Sequence, residues 1–427
     1  MPLFRFRAFL PARIGNRPRK TANIVRTEPP IKRGIMSIFR PARRIRIPSL
    51  VSAVVCASLS LPARGGPAPS FLGLGDLPDG VGSSVANNIS ADGRVVVGVA
   101  QTTSGFEAFR WSLPNGMVGL GELAGGAYEG SAFGVSDDGA VIVGSSNSDN
   151  GREAFRWTQS GGMVGLGDLP GSEFDSFATG VSGDGVVAVG AGTAGFFPTA
   201  FRWTQADGME NLGDLPGGAP YAVASSVSAD GAVIVGQSIS ANGNEGFIWT
   251  RDTGMLPLGD LPGGPFASNA NRVSAGGDVI VGVGFIDGGE EAVRWTNGGT
   301  VLESLGDLPG GLHLSAANDV SADGNRVVGQ ATSSLGTEAF IWDPIDGMRS
   351  LREYLTTVIG VDLTGWSLTA ATGISDDGTV ICGYGVNPTG ETEAWIAVIP
   401  EPATALLLIP APFLGAWRRR PRSSSRE

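Results

Sequence analysis

The chain has 427 residues, 67 of them glycine, with two cysteines, one histidine and a formal net charge of −11. The charge is partitioned: residues 1–70 carry net +13, residues 71–402 carry net −28 with no lysine, and residues 403–427 carry net +4. So acidic a body argues against a nucleic-acid partner, because phosphate binding needs clustered Arg and Lys, and one His with one body Cys excludes a metal centre built on those ligands.

Residues 1–35 are rich in Arg and Pro and predict no folded element; they read as a non-native extension ahead of a start at Met36. Residues 36–66 run basic (MSIFRPARRIRIPS), then apolar (LVSAVVCASLSLPA), then small. This is the layout of a secretory signal peptide, and its apolar stretch is shorter than the roughly 20 residues of a membrane span. Val55 is too bulky for lipoprotein cleavage at Cys56. With Cys56 in this leader, Cys382 has no intrachain disulfide partner, so stability has to come from a large buried core.

Residues 71–399 repeat. Tryptophans stand at Trp111, Trp157, Trp203, Trp249, Trp295, Trp342 and Trp395, at steps of 46, 46, 46, 46, 47 and 53. Three blocks travel with them. LGDL or a variant begins at Leu74, Leu120, Leu166, Leu212, Leu258, Leu305 and, as LREYL, at Leu351. Ser-x-Asp-Gly followed by an apolar run ending in Gly begins at Ser90, Ser136, Ser182, Ser228, Ser321 and Ser375, and at Ser274 with Gly276 in place of Asp. EAFRW or a variant closes each unit, the last as EAWIA.

The β-branched runs are of strand length. Asp-Gly ahead of them suits a hairpin turn, since Gly accepts positive φ. EAFRW is short and alternating, VGLGEL reads as a further strand, and SVANNIS as a fourth. No segment within a unit keeps a 3.6-residue period, apart from a short helix predicted over 351–358 in the last unit. Four strands in about 46 residues are the dimensions of a propeller blade. The expected fold is therefore all-β, a seven-bladed β-propeller. The body opens on one LGLGDL strand and ends without one. Residues 71–77 are thus predicted to join the last blade beside 392–398 and close the ring.

Residues 400–427 carry Pro400, Glu401 and Pro402, an apolar segment over 403–417, and then Arg418, Arg419 and Arg420. An apolar segment followed by positive charge is a stop-transfer arrangement with transient membrane contact. The tail resembles the PEP-CTERM sorting signal of Gram-negative bacteria, although Pro410 and Pro412 interrupt its apolar segment and seven residues follow the Arg triplet. The LGDLPGG, SADGxVIVG and EAFRWT blocks resemble those of HAF-repeat extracellular proteins over 71–397. These resemblances imply an exosortase-type partner that removes the tail, and delivery to the cell surface or extracellular matrix. They imply no activity.

Catalysis needs converging, tuned groups. His313 sits in a Gly-rich loop without a nucleophile-elbow context, and reads as a surface residue. Asp92, Asp138, Asp184, Asp230, Asp323 and Asp377 occupy equivalent turns. Each is a weak Ca²⁺ or sugar contact, or a turn residue accepting backbone N–H groups; repetition favours the turn. Asp76, Asp168, Asp214, Asp260 and Asp307 of LGDL read the same way. The Phe and Trp of EAFRW share one strand face and read as core between blades rather than as a sugar platform. Arg110, Arg156, Arg202 and Arg294 lie on the opposite face, within reach of the repeated acids. Glu290 and Glu291 read as a solvated loop. No cofactor is implied. The leading expectation is a non-catalytic surface or matrix protein that binds polysaccharide or protein through loops. The alternative is a carbohydrate-active hydrolase or lyase with paired carboxylates in the central channel.

Overall fold

A computed structural model describes residues 68–171 and 174–399. The expected extension, leader and sorting tail, with Pro400, Glu401, Pro402, Arg418, Arg419 and Arg420, lie outside the described residues.

The fold is all-β: 28 strands and one short helical segment among the described residues. The strands pair as antiparallel four-stranded meanders. A representative unit runs through Ser131–Val135, Val141–Ser148, Gly151–Thr158 and Gly162–Gly165. These are the segment before Ser-x-Asp-Gly, the β-branched run, EAFRW, and the start of the next block. Five further units follow in chain order. The last contributes Ser367–Ile374, Val380–Val386 and Thr392–Val398, and its outer strand is Ser70–Gly73 from the other end of the body. Ser70 stands opposite Val398, and Gly73 opposite Trp395. Phe71 packs edge-on against Trp366 at 5.0 Å and lies 5.9 Å from Trp395. Single parallel bridges, Ser83 to Thr392 and Glu290 to Leu314, join neighbouring units into two eight-stranded sheets.

Each hydrophobic cluster draws on consecutive units. Val95 and Val97 of one unit pack with Leu120, Ile142 and Phe155 of the next. One cluster joins Leu74, Ile89, Phe109 and Trp111 to Cys382, Ala394 and Ile396, the first unit to the last. A large side chain fully buried in this way contributes about 1.5–3 kcal/mol. The glycine ending each β-branched run makes room for the ring opposite: Gly98 faces Phe109, Gly144 faces Phe155 and Gly329 faces Phe340. A methyl group at Gly98 would strike the Val85 carbonyl oxygen and the Phe109 ring.

Three sequence expectations need correction. Trp395 is not the equivalent of Trp111. It pairs with Gly383, as Phe109 pairs with Gly98, so Ala397 takes the tryptophan position and Trp395 fills the phenylalanine one. LGDL lies outside the strands, except that Leu305 and Gly306 end the strand Val301–Gly306. The outer strands stop at residues such as Gly119 and Gly73, and Gly121 at φ 76° turns the chain out of extended geometry. The block is a loop that inserts two leucines, Leu120 and Leu123, into the core. Finally, Glu290 and Glu291 are half-buried in the strand Gly289–Thr296, not in a solvated loop. The helix expected over 351–358 is present as an α-turn, Leu351–Glu353, running into a π-turn, Tyr354–Ile359. It buries Leu351 and Leu355 against the last unit.

Candidate functional site

The Ser-x-Asp-Gly turns spend their polar groups internally. Ser90 Oγ donates to Asp92 Oδ1 at 2.6 Å, which also accepts from Arg94 N at 3.0 Å, while Val95 N donates to Ser90 Oγ at 3.0 Å. The same three bonds recur around Asp138, Asp184, Asp230, Asp323 and Asp377. In Asp184 and Asp230 the serine hydroxyl, and then the backbone N–H, hold the carboxyl below its usual range; in Asp138 the backbone N–H leads. Among the described residues no group of three His, Cys, Asp or Glu side chains is arranged to hold a metal ion. The LGDL acids also bind their own loop: Asp168 accepts from Leu169 N, Asp175 N and Thr193 N.

The EAFRW strands place Trp111, Trp249, Trp295 and Trp342 in the core and leave Trp157 and Trp203 half-buried. Their arginines do not reach the turn carboxylates. Arg110, Arg156 and Arg294 donate to the carbonyls of Gly139, Gly185 and Gly324, the turn glycine of the following unit. Arg294 also pairs with Glu303 at 2.7 Å. His313 is exposed, with Nδ1 3.9 Å from Asp307.

The groups that do converge are the ones that break the repeat. Residues of all seven units line a cavity of about 80 Å³, among them Asn88, Asp137, Ser226, Arg272, Asp319 and Asp376. That is room for two or three waters at ~30 Å³ each. Arg272 Nε meets Asp319 Oδ1 at 2.9 Å with both side chains largely buried, and Asp319 Oδ2 accepts from Ile374 N at 2.9 Å. The mouth is bounded by main-chain bonds from unit to unit: Asp137 N to Gly183 O, Gly183 N to Ala229 O, Ala229 N to Ala275 O, Ala322 N to Asp376 O, and Asp376 N to Ala91 O. Burial, with the charges of Asp137, Asp319 and Asp377, pushes the Asp376 carboxyl up to about 6. Burial, with Asp138 and Asp184, raises Asp137 as well. Cys382 is fully buried and its thiol is pushed up to about 12, so it is inert as a nucleophile.

A second cavity, about 360 Å³, is lined by residues of six units, including Asn87, Phe133, Thr179, Asn318 and Tyr384. Arg272 lines both cavities and stands between them. Sequence reasoning missed this site, although it held a signal. Two residues before each repeat serine stand Asn88, Gly134, Gly180, Ser226, Arg272, Asp319 and Gly373. The position varies from unit to unit, whereas the one after it is always Val or Ile.

Neither a protein-family model nor a curated protein sequence matches the chain. Similar solved structures include an oligogalacturonate lyase in complex with manganese (14% identity, TM-score 0.46, covering 78% of this chain and 97% of that one). An oligogalacturonate lyase from Vibrio parahaemolyticus gives 11% identity and TM-score 0.47, over 78% and 98%. TolB from Acinetobacter baumannii gives 12% identity and TM-score 0.44; 60% of this chain is covered, and the match spans 62% of that chain.

Proposed function

We propose that this is an exported, non-catalytic surface or extracellular-matrix protein of a Gram-negative-type bacterium, an HAF-repeat protein built as a closed seven-bladed β-propeller that binds polysaccharide or protein through its loops. Closure is supported by the strand Ser70–Gly73 beside Thr392–Val398, and by the core cluster shared between the first and last units. The observation that carries the binding role is the contrast between inside and outside. The repeated acids are consumed in their own turns, whereas large apolar side chains stand out on the hairpins, both between the second and third strands and between the third and fourth. Phe196 is 91% exposed, with Phe197 beside it, and Leu335 78% on the first kind; Ile345 is 91% exposed and Leu113 76% on the second. Exposed apolar residues on loops mark interaction surfaces. The leader over 36–66 and the tail over 400–427, cut by an exosortase-type enzyme, would deliver this surface outside the cell.

A second reading, a hydrolase or lyase, is favoured by one observation: Asp137 and Asp376 meet at the small cavity and Asp376 is raised, as an acid–base pair requires. Both readings are tested together by screening the protein against extracellular polysaccharide fragments for binding and for product release. Binding without turnover is expected. Product release that disappears in Asp376→Asn establishes the second reading instead.

A further inference from the structure

The larger cavity has a chemical character that follows from how the units hold one another. Three residues before the repeat serine, five of the seven units carry a side chain that ties the unit to the next: Asn87, Thr179, Asn271, Asn318 and Thr372. Asn87 Nδ2 donates to Ala132 O at 2.8 Å, Thr179 Oγ1 to Ala224 O at 2.8 Å, Asn318 Nδ2 to Ala371 O at 2.9 Å, and Thr372 Oγ1 to Ala86 O at 2.8 Å. In the cavity wall, the donors of Asn87, Thr179, Asn318 and Thr372 are thus committed to the scaffold. What remains are acceptors: the Oδ1 atoms of Asn87 and Asn318 have no donor among the described residues, and the threonine oxygens keep lone pairs. Donors come from elsewhere on the wall. The Tyr384 hydroxyl and the Gln330 amide have no side-chain partner, and the Arg272 guanidinium uses only Nε, on Asp319.

We propose that this cavity binds the neutral, polyhydroxylated end of a glycan chain, one sugar residue deep. This rests on the binding role proposed above, names its ligand, and places the site in the cavity rather than on the loops. Four features of the cavity select that class. A volume of about 360 Å³ falls in the range of small-ligand sites, ~300–1,000 Å³. A wall with many acceptors and a few donors complements hydroxyl groups, which both donate and accept. Phe133 offers a ring to an apolar sugar face. The site offers no net positive charge, since Arg272 is neutralised by Asp319 and the body is strongly acidic, so an anionic sugar is disfavoured. The other cavity that Arg272 lines holds about 80 Å³, too small for a second sugar residue. The site therefore takes a chain end, not the middle of a strand.

The test is titration of the protein with neutral gluco-, manno- and galacto-configured oligosaccharides and with hexuronate oligomers. It is repeated on Tyr384→Phe and Gln330→Met, neither of which removes a scaffold bond. We expect one neutral ligand to bind with 1:1 stoichiometry, and each variant to weaken it about threefold to tenfold, the effect of one hydrogen bond, at unchanged melting temperature. Binding that survives both variants but is lost in Phe196→Ser/Phe197→Ser overturns the cavity and keeps the loop surface. Binding of hexuronates alone overturns the proposal that the ligand is neutral. If neither neutral nor acidic glycans bind, the cavity proposal falls, and the polysaccharide role falls with it if whole extracellular polysaccharide fails as well.

Discussion

At the scale of the residue, identical carboxylates follow opposite rules according to what surrounds them. The repeat aspartates at 138, 184 and 230 are held below their ordinary range by hydroxyl and amide donors. Their contribution to stability is present at neutral pH and is lost as pH falls through and below about 3.8. Asp376, one position earlier in its turn, has the reverse sign. Its carboxyl is raised from 3.8 to about 6, so the folded state holds its proton more tightly than the unfolded chain, and its contribution weakens as pH rises through that window. Asp376→Asn should therefore raise the melting temperature at pH 7, with the gain vanishing near pH 4; thermal melts across that range check it. An unchanged difference at the two pH values would refute the assignment. Sequence alone showed Asp376 only as a variable residue before a repeat aspartate. Its environment is set by Asp137 and Asp319, which lie far away in the chain.

At the scale of the element, one unit is a meander whose apolar side chains find no cover within it. The cover is the neighbouring unit, and hydrogen bonds fix the fit. Replacing Thr372 by Val removes the bond to Ala86 O while keeping the side chain's shape, and leaves a buried carbonyl short of a donor. A loss of about 1–2 kcal/mol is expected, read by chemical denaturation. The equivalent Thr179→Val, which breaks the bond to Ala224 O, should cost a similar amount. Equal losses mean that the junction of last and first units is held like the others. The strand content of each unit was legible beforehand from β-branched runs and Asp-Gly turns. The role of LGDL was not, because a Leu-Gly-Asp-Leu segment has no period that separates a strand from a loop inserting two leucines.

At the scale of the whole molecule, stability depends on residues from one end of the body completing the sheet at the other. Deleting residues 68–77 would remove Phe71 from Trp366 and Trp395, take Leu74 and Leu77 out of the core, and expose the edge of the strand Thr392–Val398. At about 1.5–3 kcal/mol for each fully buried side chain, the loss should be roughly 3–6 kcal/mol. An open strand edge also favours association, so size-exclusion chromatography should show oligomers beside a lowered melting temperature. A deletion that leaves both unchanged would refute a structural role for this strand.

The repeat period, the all-β character, the turn chemistry of Ser-x-Asp-Gly and the partner of the opening strand were all determined by the amino-acid order itself, because they depend on local φ preferences and on bookkeeping along one chain. Only the tertiary structure decided that Trp395 fills a phenylalanine site, that Arg110 and Arg156 reach carbonyls rather than carboxylates, and that Arg272 and Asp319 form a buried pair between two cavities. Those outcomes depend on which residues of different units come within a few ångströms of one another. Spacing along the chain does not encode that distance until the sheets have packed.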